Sequence, residues 1–195
     1  MTLARRARSG LVTVGVMAAV MWTLLIADVL LGFGLTRRLA IEPRTLEGLD
    51  GIIFAPLLHA GPGHLVSNIV PLLVLGFLTF LEGARRFAVA AGLSWVVSGV
   101  GVWVLGAGPT IGASGVVFGL FSYLLLRGFY NRNWRQVLLA VLLFLMYGSI
   151  LFGLFPVPGS NISWQAHLFG AIGGVIAAIK LRRRPAPVGR DRRRR

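Results

Sequence analysis

The sequence predicts an all-α polytopic membrane protein with six transmembrane helices. Hydrophobic residues make up 56% of its 195 residues and charged residues only 13%, whereas soluble domains carry about a quarter charged residues. The apolar residues run in stretches close to the roughly 20 residues that cross a bilayer. The chain has no cysteine, which excludes disulfides, thiolate catalysis and cysteine-ligated metals.

Six segments qualify, or nearly qualify, as membrane spans: residues 11–33, 64–82, 86–106, 112–127, 135–154 and 164–181. Between the first two lie a polar stretch and then a half-apolar piece, 51–63, which is too short to span and is expected to lie at the interface or to re-enter the membrane. The predicted division of the chain is a basic N-terminus (1–10), a six-helix membrane domain (11–181) and a basic, disordered tail (182–195).

The basic residues indicate a topology. The formal net charge is +14, and with the N-terminus inside, 17 of the 20 Lys and Arg residues fall on the cytoplasmic side. Positive charge accumulates in cytoplasmic loops, so both termini are expected to face the cytoplasm, with the protein in the cell membrane. Because the arginines lie at the ends of apolar runs and in the tail, we expect the tail to contact anionic lipid head groups and expect no nucleic-acid partner.

Polar residues inside the predicted spans are costly and usually functional. Ser114, His167 and Asn68 each precede the charged inner end of their span by 13 or 14 residues. At about 1.5 Å per residue, each lies about 20 Å above that boundary, and His64 lies one turn above Asn68. These side chains can therefore share one layer in the outer half of the membrane.

Small residues flank the serine and the histidine at helical spacing. The serine lies among Gly112, Gly115 and Gly119, and the histidine is followed on its own face by Gly170 and Gly174. Glycines at such spacing let helix backbones approach closely in lipid. The two helices are therefore expected to pack together and to bring hydroxyl and imidazole within hydrogen-bond reach.

This layout predicts a serine–histidine dyad. The hydroxyl of Ser114 needs a base before it can act as a nucleophile, and neutral imidazole suits that task near pH 7. No buried carboxylate accompanies the pair, because the only acid in the interior of a span, Asp28, lies in the first helix. His167 is therefore expected to be oriented by packing, with Phe118, one turn after Ser114, as its stacking partner.

Acyl transfer also needs donors aimed at the developing oxyanion. Ser114 is expected in the first turn of its helix, where its backbone N–H is free, and His64 and Asn68 could add side-chain donors. Each residue has a simpler interpretation as well: a lone serine bonds its own helix, a lone asparagine joins two helices, and His59 could be interfacial only.

Three segments resemble the motifs of one family, the rhomboid intramembrane serine proteases. GASGVVFGL is similar to the GxSG motif that opens the fourth helix of that family, and AHLFGAIGG, with His167, resembles its AHxxGxxxG motif. HAGPGHLVSN, with His59, His64 and Asn68, resembles the HxxxxHxxxN pattern that leads into the second helix. The resemblance covers about residues 52–180 and includes the number, order and topology of the helices.

The resemblance implies a rhomboid-like six-helix bundle without cofactor or metal that cleaves transmembrane protein substrates near their outer ends. It implies Ser114 as nucleophile, His167 as base, and His64, Asn68 and the Ser114 N–H as oxyanion donors. Supporting roles are expected for Gly112, Gly115, Phe118, His59, Gly170 and Gly174. The chain departs from the family in two places: its first external loop lacks the Trp-Arg pair of some members, and Phe118 stands where a tyrosine often stacks on the histidine.

Two alternatives remain open on the sequence. A non-catalytic rhomboid-like protein would bind membrane helices, although such proteins typically lack one or both dyad residues. A small transporter would use His167 as a proton relay, and would need further polar groups toward the cytoplasm. The segment after the fifth span, with Phe152 and Phe155, is expected to form a mobile cap or lateral gate above the site.

Overall fold

The structure, a computed structural model, describes residues 2–157, 159–160 and 162–182. Within these ranges the chain is helical, and its one extended pairing is an isolated antiparallel bridge between Ile41 and Thr110. The predicted all-α class is confirmed. The helices are α1 (Leu3–Leu30), α2 (Gly34–Leu39), α3 (Gly51–Phe54), α4 (Pro62–Leu81), α5 (Ala84–Leu105), α6 (Ser114–Tyr130), α7 (Trp134–Tyr147) and α8 (Trp164–Lys180), with 3-10 segments at Glu47–Leu49, Ala55–Leu57 and Gly148–Leu154.

Among the described residues, four helical segments are long and apolar enough to cross a membrane: α1, α4, α5, and α7 with the 3-10 segment that follows it. α6 is a shorter apolar helix, and both α6 and α8 have 17 residues. Such a helix is roughly 25 Å long, less than the ~30 Å hydrocarbon core. The fold is that of a multi-pass membrane protein; each predicted span forms a helix, while the count of six crossings stays a prediction.

The first helix begins earlier than the predicted span. The Thr2 side chain accepts a hydrogen bond from the Arg5 backbone N–H at 3.4 Å and so caps α1 at Leu3, as threonine commonly does. The basic residues therefore belong to the same helix as the apolar residues that follow. The predicted disorder of the basic tail concerns residues that, except for Arg182, lie outside those the structure describes, and the division of the chain at residues 10 and 181 stays a prediction.

Helix α8 packs closely on α5 and α6, and glycines set the separation. The α6–α8 contact is the most extensive in the described structure, followed by α5–α8. Gly170 lies against the Gly115 backbone and Gly174 against the Gly119 backbone, with no room for a methyl group at either place. Ser98 of α5 also donates a hydrogen bond to the Ala166 carbonyl of α8 at 2.8 Å. Close approach and interhelical hydrogen bonds are what hold helices together in lipid.

A cluster of polar side chains joins four helices at the end of the bundle away from Ser114. Glu82, which ends α4, accepts hydrogen bonds from the Tyr123 hydroxyl at 2.7 Å and the Gln136 amide at 2.9 Å. It also pairs with Arg86 at 3.5 Å and with Arg127, whose exposed fraction is only 4%. Because its charge is paired, the buried guanidinium avoids the penalty of an isolated ion.

The loop that follows α2 is fastened to the end of α5. The Arg44 guanidinium donates to the carbonyls of Val104 at 3.2 Å and Gly106 at 3.0 Å. In return, the Trp103 indole donates to the Thr45 carbonyl at 2.8 Å. An arginine from the loop and a tryptophan from the helix thus hold the loop, although it lacks an adjacent Trp-Arg pair.

Candidate active site

Ser114 and His167 meet where α6 begins beside α8. The Ser114 hydroxyl lies 2.9 Å from His167 Nε2, within hydrogen-bond distance. His167 is buried, with 7% of its surface exposed, and Ser114 is half-buried. The depth estimate and the glycine spacing had predicted this meeting, and the glycine contacts between the two helices produce it.

Gly112 turns the chain so that α6 can start at the serine. Its φ is +110°, a conformation that residues with a Cβ rarely adopt, and its N–H bonds the Ala55 carbonyl at 2.9 Å. Helix α6 then begins at Ser114 itself, as predicted. The N–H groups of a first helical turn have no acceptor within their own helix, so the Ser114 N–H is available to a ligand.

The His167 ring is held by a carbonyl and by an aromatic ring. Nδ1 lies 2.8 Å from the Gly153 carbonyl oxygen, which can only accept a hydrogen bond, so Nδ1 carries the proton and Nε2 keeps its lone pair for the serine hydroxyl. The Phe118 ring stacks on the imidazole with a centroid distance of 4.1 Å and an angle of 7°. The predicted stacking contact is present, whereas Gly153 was not foreseen.

Asp28, the acid within the first predicted span, makes its hydrogen bonds away from the serine–histidine pair. Asp28, with 1% of its surface exposed, accepts hydrogen bonds from the backbone N–H groups of Leu35 at 2.8 Å and of Thr36. It therefore satisfies the free N–H groups at the start of α2. The serine–histidine pair has no carboxylate partner among the described residues.

His64 and Asn68 lie beside the turn that precedes the serine. The Ala60 N–H donates to His64 Nδ1 at 3.3 Å, so in the neutral ring the proton is on Nε2. The site that a Cβ on Gly112 would occupy is 2.7 Å from His64 Nε2 and 3.9 Å from Asn68 Nδ2. The Asn68 amide also donates to the His64 carbonyl at 2.8 Å, which leaves its second N–H free.

His59 lies behind this group and does not reach the serine. Only 1% of its surface is exposed. Its ring packs edge-on against the His64 ring, with 5.0 Å between the ring centroids. Burial, and then the charge of a protonated His64, lower the pKa of His59 from 6.5 to about 4. His59 is therefore neutral at pH 7 and packs against His64.

The contacts of Gly153 with His167 and of Ala60 with His64 could not be predicted from the sequence, because both are made by main-chain groups. Every residue has a carbonyl and nearly every residue an N–H, so neither Gly153 nor Ala60 carries a side-chain signal. At Gly153 a weaker signal exists: a Cβ there would stand 2.8 Å from His167 Nδ1. The predicted cap residues Phe152 and Phe155 are exposed, and lie in and just after the segment that carries Gly153.

The bundle of apolar helices places this chain among the multi-pass membrane proteins, and it holds a serine and a histidine within hydrogen-bond distance of each other. The Rhomboid domain family matches residues 47–184, and the chain belongs to the rhomboid family. This match includes all the motif residues discussed above.

Curated relatives agree with the family. An uncharacterized protein of Mycobacterium tuberculosis is 45% identical over 150 residues, covering 72% of this chain and 62% of that protein. YdcA of Bacillus subtilis, provisionally named a rhomboid protease, is 32% identical over 129 residues, covering 63% of this chain and 62% of YdcA. Rhomboid protease GluP of the same organism is 30% identical over 132 residues, covering 64% of this chain and 24% of GluP. The match thus spans less than two thirds of each relative.

Proposed function

We propose that this protein is an intramembrane serine endopeptidase that hydrolyses peptide bonds in or near transmembrane segments of other membrane proteins. The observation that carries the proposal is the 2.9 Å approach of the Ser114 hydroxyl to a His167 nitrogen whose lone pair faces it. The family names of GluP and YdcA support the same activity. The motifs and the charge distribution favour a cell-membrane protein with both termini cytoplasmic and a site in the outer half of the bilayer.

In the proposed mechanism the serine attacks and the histidine carries the proton. Ser114 Oγ bonds to the scissile carbonyl carbon while its proton passes to His167 Nε2. The same proton then goes to the leaving amide nitrogen as the C–N bond breaks, which leaves an acyl-serine. Water attacks that ester, again losing a proton to Nε2, and releases the carboxylic acid and the free serine.

The oxyanion of the tetrahedral intermediate needs donors that are already in place. His64 Nε2 and the Asn68 amide nitrogen lie 2.7 and 3.9 Å from the place that a Cβ on Gly112 would take, and the Ser114 N–H, two residues further along the chain, has no acceptor within its own helix. We assign these three as oxyanion donors. Removing one such donor typically lowers kcat by about 100- to 1,000-fold, so His64→Ala and Asn68→Ala should retain traces of activity.

The test is cleavage of a model transmembrane substrate in liposomes by wild type, Ser114→Ala and His167→Ala. Ser9→Ala, on α1 and far along the chain from the site, is the matched serine control. We expect cleavage by wild type and Ser9→Ala, and none by the two dyad variants. Equal cleavage by wild type and Ser114→Ala would contradict the proposal, and binding of the substrate without cleavage by wild type would favour a helix-binding rhomboid-like protein.

A further inference from the structure

The acceptor behind His167 is a backbone carbonyl of the 3-10 segment Gly148–Leu154, which continues α7. Carbonyls at the end of a helix lack intrahelical partners, so the Gly153 oxygen is free to accept the Nδ1–H at 2.8 Å. The absence of a side chain lets this backbone come close to the ring. A Cβ at Gly153 would stand 2.8 Å from His167 Nδ1 and 3.2 Å from the Phe118 ring.

We propose that the Gly153 carbonyl is a positioning group of the catalytic unit, one that fixes His167 in the tautomer with the proton on Nδ1. This inference rests on the proposed protease function. In serine proteases with a triad, a carboxylate performs this task, and the wrong tautomer lowers kcat about 10,000-fold. Here a carbonyl dipole replaces the carboxylate. It also accepts from the imidazolium that forms when Ser114 loses its proton, because that ring keeps its Nδ1–H.

The segment that supplies this carbonyl is the one least embedded in the bundle. Only 11% of the residues in the apolar stretch of Trp134–Leu154 are buried, against 50% for α4 and 39% for α5. Its last turn carries Phe152, 77% exposed, and leads directly to Phe155, 67% exposed. The base is therefore correctly oriented only while this segment is seated on α8. When the segment is displaced, His167 is free to adopt the other tautomer, whose Nε2–H cannot accept the serine proton.

Gly153→Ala tests the proposal, with Gly148→Ala as the matched control in the same segment. A Cβ at Gly148 meets only Phe144 ring atoms, the nearest at 3.4 Å, so this variant should cleave like wild type. For Gly153→Ala we expect kcat to fall by about 100-fold or more and KM to change less, because the added methyl group meets His167 and Phe118. Nitrogen-15 spectra of histidine-labelled protein should show His167 as a single Nδ1–H tautomer in wild type and Gly148→Ala, and as a mixture in Gly153→Ala.

Several outcomes would overturn the positioning role. They are a wild-type His167 with its proton on Nε2 at neutral pH, a Gly153→Ala variant with kcat within about twofold of wild type, or a slow variant whose His167 tautomer is unchanged. The wild-type spectrum needs no variant, so a folding failure of Gly153→Ala does not block the test. If wild type itself cleaves no substrate, the proposed function fails, whereas the tautomer measured in Ser114→Ala protein still decides the contact with Gly153.

Discussion

Replacing Gly170 by alanine tests the packing that brings the serine and the histidine together. A Cβ at Gly170 on α8 would stand 2.6 Å from the Gly115 carbonyl carbon on α6, and closer still to its oxygen. Ordinary van der Waals contact begins at 3.4 Å, so the difference between 3.4 and 2.6 Å requires a separation of about 0.8 Å or more. Backbone atoms cannot rotate away as a side chain can, and the helices themselves must move apart.

The dyad distance follows from this separation. If the helices move apart by this distance, the gap between Ser114 Oγ and His167 Nε2 grows from 2.9 Å to at least about 3.7 Å, beyond hydrogen-bond range. A catalytic group misplaced by about 1 Å can lower the rate by about 100-fold, which corresponds to about 2.7 kcal/mol of activation free energy. We therefore expect Gly170→Ala to retain about 1% of the wild-type kcat.

The assay is cleavage of a model transmembrane substrate in liposomes, with helix content measured by circular dichroism to show that the variant is folded. Gly92→Ala on α5 is the control, since a Cβ there meets open space, and it should match wild type. A folded Gly170→Ala enzyme that cleaves within about twofold of wild type would refute the claim that glycine contact between α6 and α8 sets the dyad distance.

Three further predictions concern the surroundings of the site. Gly112→Ala should lower kcat by about 100-fold, because its positive φ and the 2.7 Å approach to His64 Nε2 leave no place for a Cβ; steady-state cleavage kinetics measure this. Glu82→Gln should lower the free energy of unfolding by about 3–5 kcal/mol, measured by denaturation in detergent, because it leaves the buried Arg127 without its carboxylate. The free energy of unfolding should also decrease as the pH is lowered. Because the pKa of His59 drops from 6.5 to about 4 on folding, the unfolded chain binds the proton at a higher pH than the folded chain does. The contribution of neutral His59 is complete above pH 6.5 and is lost between 6.5 and 4, by roughly 3 kcal/mol, and His59→Leu should flatten this part of the pH–stability profile.

The polar side chains of the candidate site could be predicted from the sequence because each lies in an otherwise apolar segment. A histidine or an asparagine in an apolar run is costly unless it has partners, so His167 and Asn68 stand out. Counting residues to the charged ends of the spans predicted the depth of these side chains. The glycine spacing predicted the contact between the serine helix and the histidine helix. The stacking of Phe118 followed from its position one turn after Ser114.

The main-chain contacts and the loop anchors could not be predicted in this way. The Gly153 carbonyl reaches His167 only because α7 gives way to a 3-10 segment after Tyr147, and the apolar composition of residues 135–154 gives no sign of that change. Arg44 and Trp103 are far apart in sequence, so their joint role in holding the first loop depends on tertiary structure. The predicted first span and α1 differ in kind, because the span is bounded by the apolar run whereas the helix begins at its cap, Thr2.

The two imidazoles of the site face main-chain groups of opposite polarity, an N–H behind His64 and a carbonyl behind His167. With both rings neutral and no carboxylate beside them in the described part of the chain, the resting layer carries no net charge. A transmembrane voltage does work only on charge that moves through the field, so it exerts no force on this layer before the reaction begins. We therefore expect turnover in sealed vesicles to be indifferent to an imposed potential.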